Sequence, residues 1–192
     1  MQAVARHLSG LDGSFSEEIT DLRWWPLTHA MEWLSAWWVK GPLFVLVALA
    51  CDLVVVRRAA RGTVPWTAAL TLGAVLLGSL VSTLAKPLFD RPRPPFGDAG
   101  ISAIGALPSS ASFPSGHATT AFAAATALAL LRPRLRLLAL GVATCVALSR
   151  VYLGMHYAGD VTAGALLGAG IGAALVLATR RLVPAASLRA ST

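Results

Sequence analysis

Long apolar runs broken by short polar segments set the pattern of this chain. Gly41–Val56, Thr63–Ala85, Phe113–Leu131, Leu137–Ser149 and Val161–Thr179 are the runs, and basic residues close most of them. Thr63–Ala85 carries no charge. At about 1.5 Å per helical residue it can cross a hydrocarbon core of about 30 Å. Leu137–Ser149 is short, but its flanking arginines can snorkel to the surface. A closed barrel would show weak alternation rather than such runs. The pattern therefore predicts an all-α fold, a polytopic transmembrane helical bundle of about five spans. Asp90–Ser112, rich in Pro, Gly and Ser, predicts a loop, and residues 183–192 a loose tail.

Residues 1–40 differ from the rest. They hold five of the nine acidic residues and five of the six tryptophans, namely Trp24, Trp25, Trp33, Trp37 and Trp38. Arg23, His29, Glu32 and Lys40 interrupt every window long enough to span. Trp prefers the membrane–water interface, so this stretch predicts one or two amphipathic helices lying there. The alternative is a sixth span. The chain thus divides into an interfacial segment (1–40), a transmembrane unit (41–182) and a tail (183–192). Acidic residues stand where a secretory signal would need basic ones, so no signal peptide is expected.

Composition supports the membrane reading. Of 192 residues, 56% are hydrophobic and 13% charged, with a mean hydropathy of +0.67. Soluble domains carry about 25% charged residues. The net charge of +7 does not predict nucleic-acid binding, because the basic residues sit at span ends as topology signals. With five alternating spans, the clusters at 57–61, 132–136 and 180–181 share one face, which the positive-inside bias assigns to the cytoplasm. Lys86, Arg93, His117, Arg150 and His156 then fall on the opposite face, with the acidic N-terminal segment. Asp52, near a basic end, reads as a snorkelling or arginine-paired carboxylate. Cys51 and Cys145 lie within apolar runs and predict no disulfide. Two stripes, Gly164/Gly168/Gly172 and Ala121/Ala125/Ala129, read as close helix packing in lipid.

Three polar clusters remain on the outer face. In Ser149–Asp160, His156 and Asp160 are four residues apart. A helix beginning near His156 would place both on one face, so the carboxylate could hold one imidazole nitrogen and leave the other free to attack. Arg150 can fork toward phosphate oxygens. The plainer reading is a polar helix cap at the membrane surface. Pro114-Ser115-Gly116-His117 has the chemistry of an anion-binding helix start, with Pro in the first turn, a close-approach glycine and a histidine able to give a proton. A simple helix start with an interfacial histidine is the alternative. Lys86, Arg93 and Arg150 add positive charge suited to phosphate. No Asp/Glu or His/Cys cluster accompanies them to suggest a metal. Arg91 either adds charge to the pocket rim or solvates its loop, and the second reading is favoured.

Together the clusters resemble the signature of the type 2 phosphatidic acid phosphatase superfamily, which also includes vanadium haloperoxidases. Its pattern is Lys, six residues, Arg-Pro, then Pro-Ser-Gly-His, then Ser-Arg, five residues, His, three residues, Asp. Lys86 with Arg93-Pro94, Pro114–His117, and Ser149-Arg150 with His156 and Asp160 match it throughout. The resemblance covers roughly residues 80–165 and leaves 1–40 unexplained. It implies a metal-independent lipid phosphatase without cofactor, in which Lys86, Arg93, Ser115, Gly116 and Arg150 cradle phosphate. His156 would be the nucleophile, Asp160 its orienter and His117 the general acid and then base. The implied partners are membrane lipid and a lipid phosphate: a polyprenyl diphosphate or phosphate, phosphatidic acid or phosphatidylglycerol phosphate. Such short chains resemble bacterial enzymes, with the site facing outward from a plasma membrane, and the reading leans toward a polyprenyl carrier. A vanadate-dependent haloperoxidase and a non-enzymatic membrane protein are the rivals.

Overall fold

The computed structural model describes residues 2–58, 66–97 and 101–182, with side chains for all of these except 2–9, 11 and 55–58. Its helices are α1 (Gln2–Asp21), α2 (Trp25–Leu34), α3 (Pro42–Arg58), α4 (Trp66–Phe89), α5 (Pro94–Gly97), α6 (Gly116–Leu131), α7 (Arg136–Tyr152) and α8 (Ala158–Leu182). A single 3-10 turn, Pro133–Leu135, joins α6 to α7. No strand occurs among the described residues, and the protein is an all-α transmembrane bundle. Among the described residues, three segments are long and apolar enough to cross a bilayer: Trp66–Gly97, Pro133–Tyr152 and Ala158–Leu182. The apolar helices α3 and α6 are shorter, at 17 and 16 residues.

Helix α6 is the centre of the bundle, and α3, α4, α7 and α8 all pack on it. Its sequence explains the position. A helix apolar all round, without a polar stripe, must be buried on every side. Ala118, Ala121, Ala123, Ala124, Ala125 and Ala127 are all fully buried. Alanine keeps α6 thin, so neighbouring backbones come close and gain dispersion contact where lipid offers no hydrophobic driving force. The closest approach is to α8. A Cβ on Gly168 would lie 2.2 Å from the Thr119 carbonyl oxygen, and one on Gly172 2.4 Å from that of Ala123. The glycine stripe thus packs against Thr119, Ala123 and Ala127. The Ala121/Ala125 side of α6 instead faces Val39, Phe44, Ala139, Ala143 and Val146.

One end of the bundle is tied by arginines. Arg132 Nη2 meets Asp52 Oδ1 at 2.8 Å, and the other carboxylate oxygen accepts from Ala68 N at 2.8 Å. Asp52 is therefore the arginine-paired carboxylate. Arg180 donates to the Leu130 carbonyl at 2.7 Å, so the 132–136 and 180–181 clusters share this end. Of the 57–61 cluster, Arg57 and Arg58 end α3; residues 59–61 and the tail 183–192 lie outside the described residues.

The opposite end carries the N-terminal segment. Residues 2–40 contain two helices: α1 packs on α7 and α8, and α2 on α7. Arg23 donates to the Tyr152 carbonyl at 2.9 Å and to Ser102, while Thr28 and Trp24 N meet the Tyr152 hydroxyl at 3.1 Å. Trp24, Trp25, Trp33 and Trp37 remain exposed, whereas Trp38 packs against the core.

Several boundaries differ from the sequence expectation. The Asp90–Ser112 loop contains the short helix α5, which opens on Pro94. Helix α6 begins at Gly116 rather than Phe113, because Ser115 has extended backbone (φ −67°, ψ 113°) and acts as the N-cap. Pro114 therefore lies outside the first turn. Helix α7 runs on to Tyr152, so Arg150 is helical. Helix α8 starts at Ala158, leaving His156 in the preceding turn rather than on a shared helical face with Asp160.

Candidate active site

Separate segments end at the same place. The last turn of α4 supplies Lys86, the following loop Arg91 and Arg93, and the serine-rich stretch before α6 Ser110 and Ser112. The start of α6 adds Gly116 and His117, and the end of α7 adds Arg150. The turn Leu153–Tyr157 brings His156, and the first turn of α8 brings Asp160. Gly154 closes that turn with φ +68°, and a Cβ there would lie 2.3 Å from the Ser102 carbonyl oxygen. Met155 N and His156 N both donate to the Arg150 carbonyl, at 3.0 and 3.2 Å. The turn thus ties the arginine and the histidine together through backbone.

A cavity of about 180 Å³ lies among these ends, walled by Lys86, Arg93, Gly116, His117, Arg150 and His156 among others. Of the eight residues singled out in the sequence, six form its wall. Asp160 stands behind His156, fully buried. Ser115 does not form the wall. Its N–H donates to the Asp160 carbonyl at 3.0 Å, and its buried Oγ has no hydrogen-bond partner among the described residues. Arg150 Nε is likewise buried and unpartnered, while its Nη1 donates to the Ser35 hydroxyl. Unsatisfied buried donors are costly, and an oxyanion in the cavity would remove that cost at Arg150.

The surroundings of His156 define its protonation. Arg93 Nη1 lies 3.3 Å from Nε2. A guanidinium only donates, so Nε2 is the lone-pair nitrogen and Nδ1 carries the hydrogen. Nδ1 faces Ser112 Oγ at 3.3 Å and Asp160 Oδ2 at 3.5 Å. Ser112 Oγ in turn donates to Asp160 Oδ2. The serine hydroxyl therefore bridges imidazole and carboxylate. Burial drives the His156 pKa down to about 4; Asp160 opposes the shift, and Arg93 and Arg150 add to it. The imidazole is neutral near pH 7, with its unshared pair toward the cations of the cavity.

Asp160 is held from a side the sequence did not indicate. Arg91 Nη1 meets Asp160 Oδ1 at 2.8 Å, and Arg91 Nη2 meets Asp12 Oδ2 at 2.8 Å. The guanidinium also lies 4.0 Å above the Tyr157 ring. Arg91 thus grips Asp160 instead of merely solvating its loop. A buried carboxylate attracts a fork donor more strongly than water does. Asp12 Oδ1 accepts from Gly159 N at 2.8 Å, and Ser16 Oγ from Ala158 N at 3.1 Å. Helix α1 therefore caps the N-terminus of α8, where unpaired N–H groups need acceptors.

Sequence reasoning missed Ser112, Asp12, Ser35 and Lys40, and misjudged Arg91. The serine-dense stretch just before Pro114 was the available signal for Ser112. Nothing local marks the others. Lys40, from the segment before α3, also forms part of the cavity wall.

The chain and its fold are similar to known proteins. A model of the PAP2 superfamily matches residues 67–184. The lipid A 1-phosphatase of Rhizobium johnstonii is 37% identical over 110 residues, covering 55% of this chain and 45% of that protein. The decaprenylphosphoryl-5-phosphoribose phosphatase of Mycobacterium tuberculosis is 42% identical over 95 residues, covering 48% and 50%. The chain spans about half the length of these curated relatives. The transmembrane PAP2-type phosphatidylglycerolphosphate phosphatase of Bacillus subtilis has a similar structure, with a TM-score of 0.73 at 25% identity over 93% of this chain and 89% of that one. Aquifex aeolicus LpxE shares the fold, with a TM-score of 0.67 at 23% identity over 85% and 93%.

Proposed function

The chain belongs to the PAP2 superfamily, and from that membership and the geometry of its cavity we propose that it is a metal-independent lipid phosphatase working through a phosphohistidine on His156. The observation that carries the reading is the state of one imidazole. It is neutral, its lone pair faces a cation-lined cavity, and its N–H points to Ser112 and Asp160. A buried nucleophile so oriented needs an electrophile that draws anionic oxygens into the cations, and a phosphoryl group does this.

The proposed steps follow from the positions. Phosphate oxygens take up the donors of Lys86, Arg93 and Arg150, releasing Nε2 from Arg93. Nε2 attacks phosphorus in line. The bond to the leaving oxygen breaks, its electron pair stays on that oxygen, and His117 supplies a proton. The positive charge on the phosphorylated imidazole is offset by Asp160, directly and through Ser112. Water then attacks phosphorus, His117 takes its proton, the P–N bond breaks and inorganic phosphate leaves. The cations also offset charge growing on the equatorial oxygens.

The substrate is a lipid phosphate whose head enters the cavity while its chain stays in the bilayer. The site lies at the end of the bundle away from Asp52–Arg132 and Arg180. The positive-inside bias supports an extracytoplasmic site. The test is phosphate release by detergent-solubilised protein from a C55-type prenyl diphosphate, its monophosphate, phosphatidic acid and phosphatidylglycerol phosphate, with and without chelator. Turnover insensitive to chelator is expected. His156→Ala should abolish turnover while the protein stays folded, and acid-labile, base-stable label should form on the wild type. Retained activity in the variant would refute the nucleophile assignment.

A further inference from the structure

The cavity holds more positive charge than one phosphate needs. Lys40, Lys86, Arg93 and Arg150 all stand in its wall, and no carboxylate among the described residues does. A phosphate monoester brings about −1.5 to −2. The cations are also not spread evenly. Arg93 touches His156, on the nucleophile's side. His117 shares the cavity wall with Arg150 and Lys40. Lys40 is half-buried and has no hydrogen-bond or ion-pair partner among the described residues. Burial, with the nearby Arg150, lowers its pKa. An ammonium kept half-buried without a partner loses hydration for no structural gain.

We propose that Lys40 forms a second anion subsite on the leaving-group side of the cavity, beside His117, which takes the second phosphate of a lipid diphosphate. This rests on the phosphatase reading above and deepens it. The chemistry distinguishes the two kinds of substrate. When a phosphomonoester is cleaved, the alkoxide protonated by His117 leaves as a neutral alcohol and needs no fixed cation. When a diphosphate is cleaved, the P–O bond to the bridging oxygen breaks and its electron pair goes to a lipid monophosphate. That product remains anionic even after His117 supplies a proton. Lys40 then offsets charge that grows as the bond breaks, so it favours the transition state over the bound substrate.

The test compares a polyprenyl diphosphate and the monophosphate of the same chain length as substrates of the full-length protein in detergent. Wild type and Lys40→Met are measured for kcat/KM on each. A charge-assisted contact supports a fall of about ten- to a hundredfold in the diphosphate-to-monophosphate ratio. Lys40→Arg should recover most of that ratio. A second measurement needs no variant: inorganic pyrophosphate should inhibit wild-type monophosphate hydrolysis at about tenfold or more lower concentration than inorganic phosphate. Equal loss on both lipids, no loss on either, or equal potency of the two anions overturns the subsite while leaving the phosphatase intact. Absence of turnover of every lipid phosphate by the wild type would instead overturn the reading on which the subsite rests.

Discussion

Replacing Arg91 with Gln should move the acid limb of the pH–rate profile upward, although Arg91 does not form the cavity wall. Arg91 makes 2.8 Å contacts with Asp160 Oδ1 and with Asp12 Oδ2. Asp160 is fully buried and the Arg91 side chain 24% exposed. At an effective dielectric of about 20 and a charge separation of about 4 Å, the pair is worth about 4 kcal/mol. Part of that attraction draws the carboxylate's charge away from His156. Without it, Asp160 acts more fully on Nδ1 and stabilises the imidazolium. The pKa of His156, held down to about 4 by burial in the native site, then rises. If a third of the interaction is transmitted, the shift is about one unit, since one unit is about 1.4 kcal/mol. A protonated imidazole cannot attack, so the variant loses activity at a higher pH than the wild type as acid is added. Loss of an orienting partner also lowers kcat/KM at neutral pH, by about ten- to a hundredfold on the pattern of outer-shell partners at other sites. The assay is kcat/KM against pH in detergent, with thermal unfolding as the control for folding. Arg91→Lys keeps the charge but not the fork, so it should restore the limb more than the neutral-pH rate. A folded Arg91→Gln protein with an unmoved limb and wild-type kcat/KM would refute the reasoning.

Ser112→Ala removes the hydroxyl between His156 and Asp160. It should lower kcat about tenfold with little change in KM, because the contact orients the nucleophile rather than binding substrate; a KM effect alone would contradict that role. Gly168→Ala should lower the thermal midpoint in detergent, since its Cβ would lie 2.2 Å from a backbone oxygen that cannot rotate aside. The cost is about 1–3 kcal/mol. Gly170→Ala, with nothing within 4 Å, is the matched control and should be neutral or slightly stabilising. Equal midpoints for the two would show that α6 and α8 are not held at the distance described.

The junction of α1 with the site bears on how the bundle works as a unit. Asp12 contacts both Arg91 and Gly159 N, and Ser35, just after α2, contacts Arg150. The tryptophan-bearing segment is therefore joined to the residues around His156 by hydrogen bonds. Its exposed Trp24, Trp25, Trp33 and Trp37 suit the headgroup region.

Local pattern was enough for everything that depends on composition and spacing. Apolar run length gave the helices, because only an internally hydrogen-bonded backbone survives in hydrocarbon. Alanine and glycine stripes gave close packing, and Asp52 beside arginines gave a snorkelling or arginine-paired carboxylate, of which the contact with Arg132 selects the second. The spaced motifs gave Lys86, Arg93, His117, Arg150 and His156, whose side chains stand in one cavity wall. Tertiary structure decided what no spacing encodes. Ser112 reaches Asp160 across 48 residues, Arg91 reaches Asp160 across 69 and Asp12 across 79. A surface loop arginine and one that grips a buried carboxylate look alike in sequence, because the difference lies in which helix end comes to rest beside them. The same holds for Lys40: its letter reports a charge, and only the packing of α3 and α7 around α6 puts that charge in the cavity wall with His117 and Arg150.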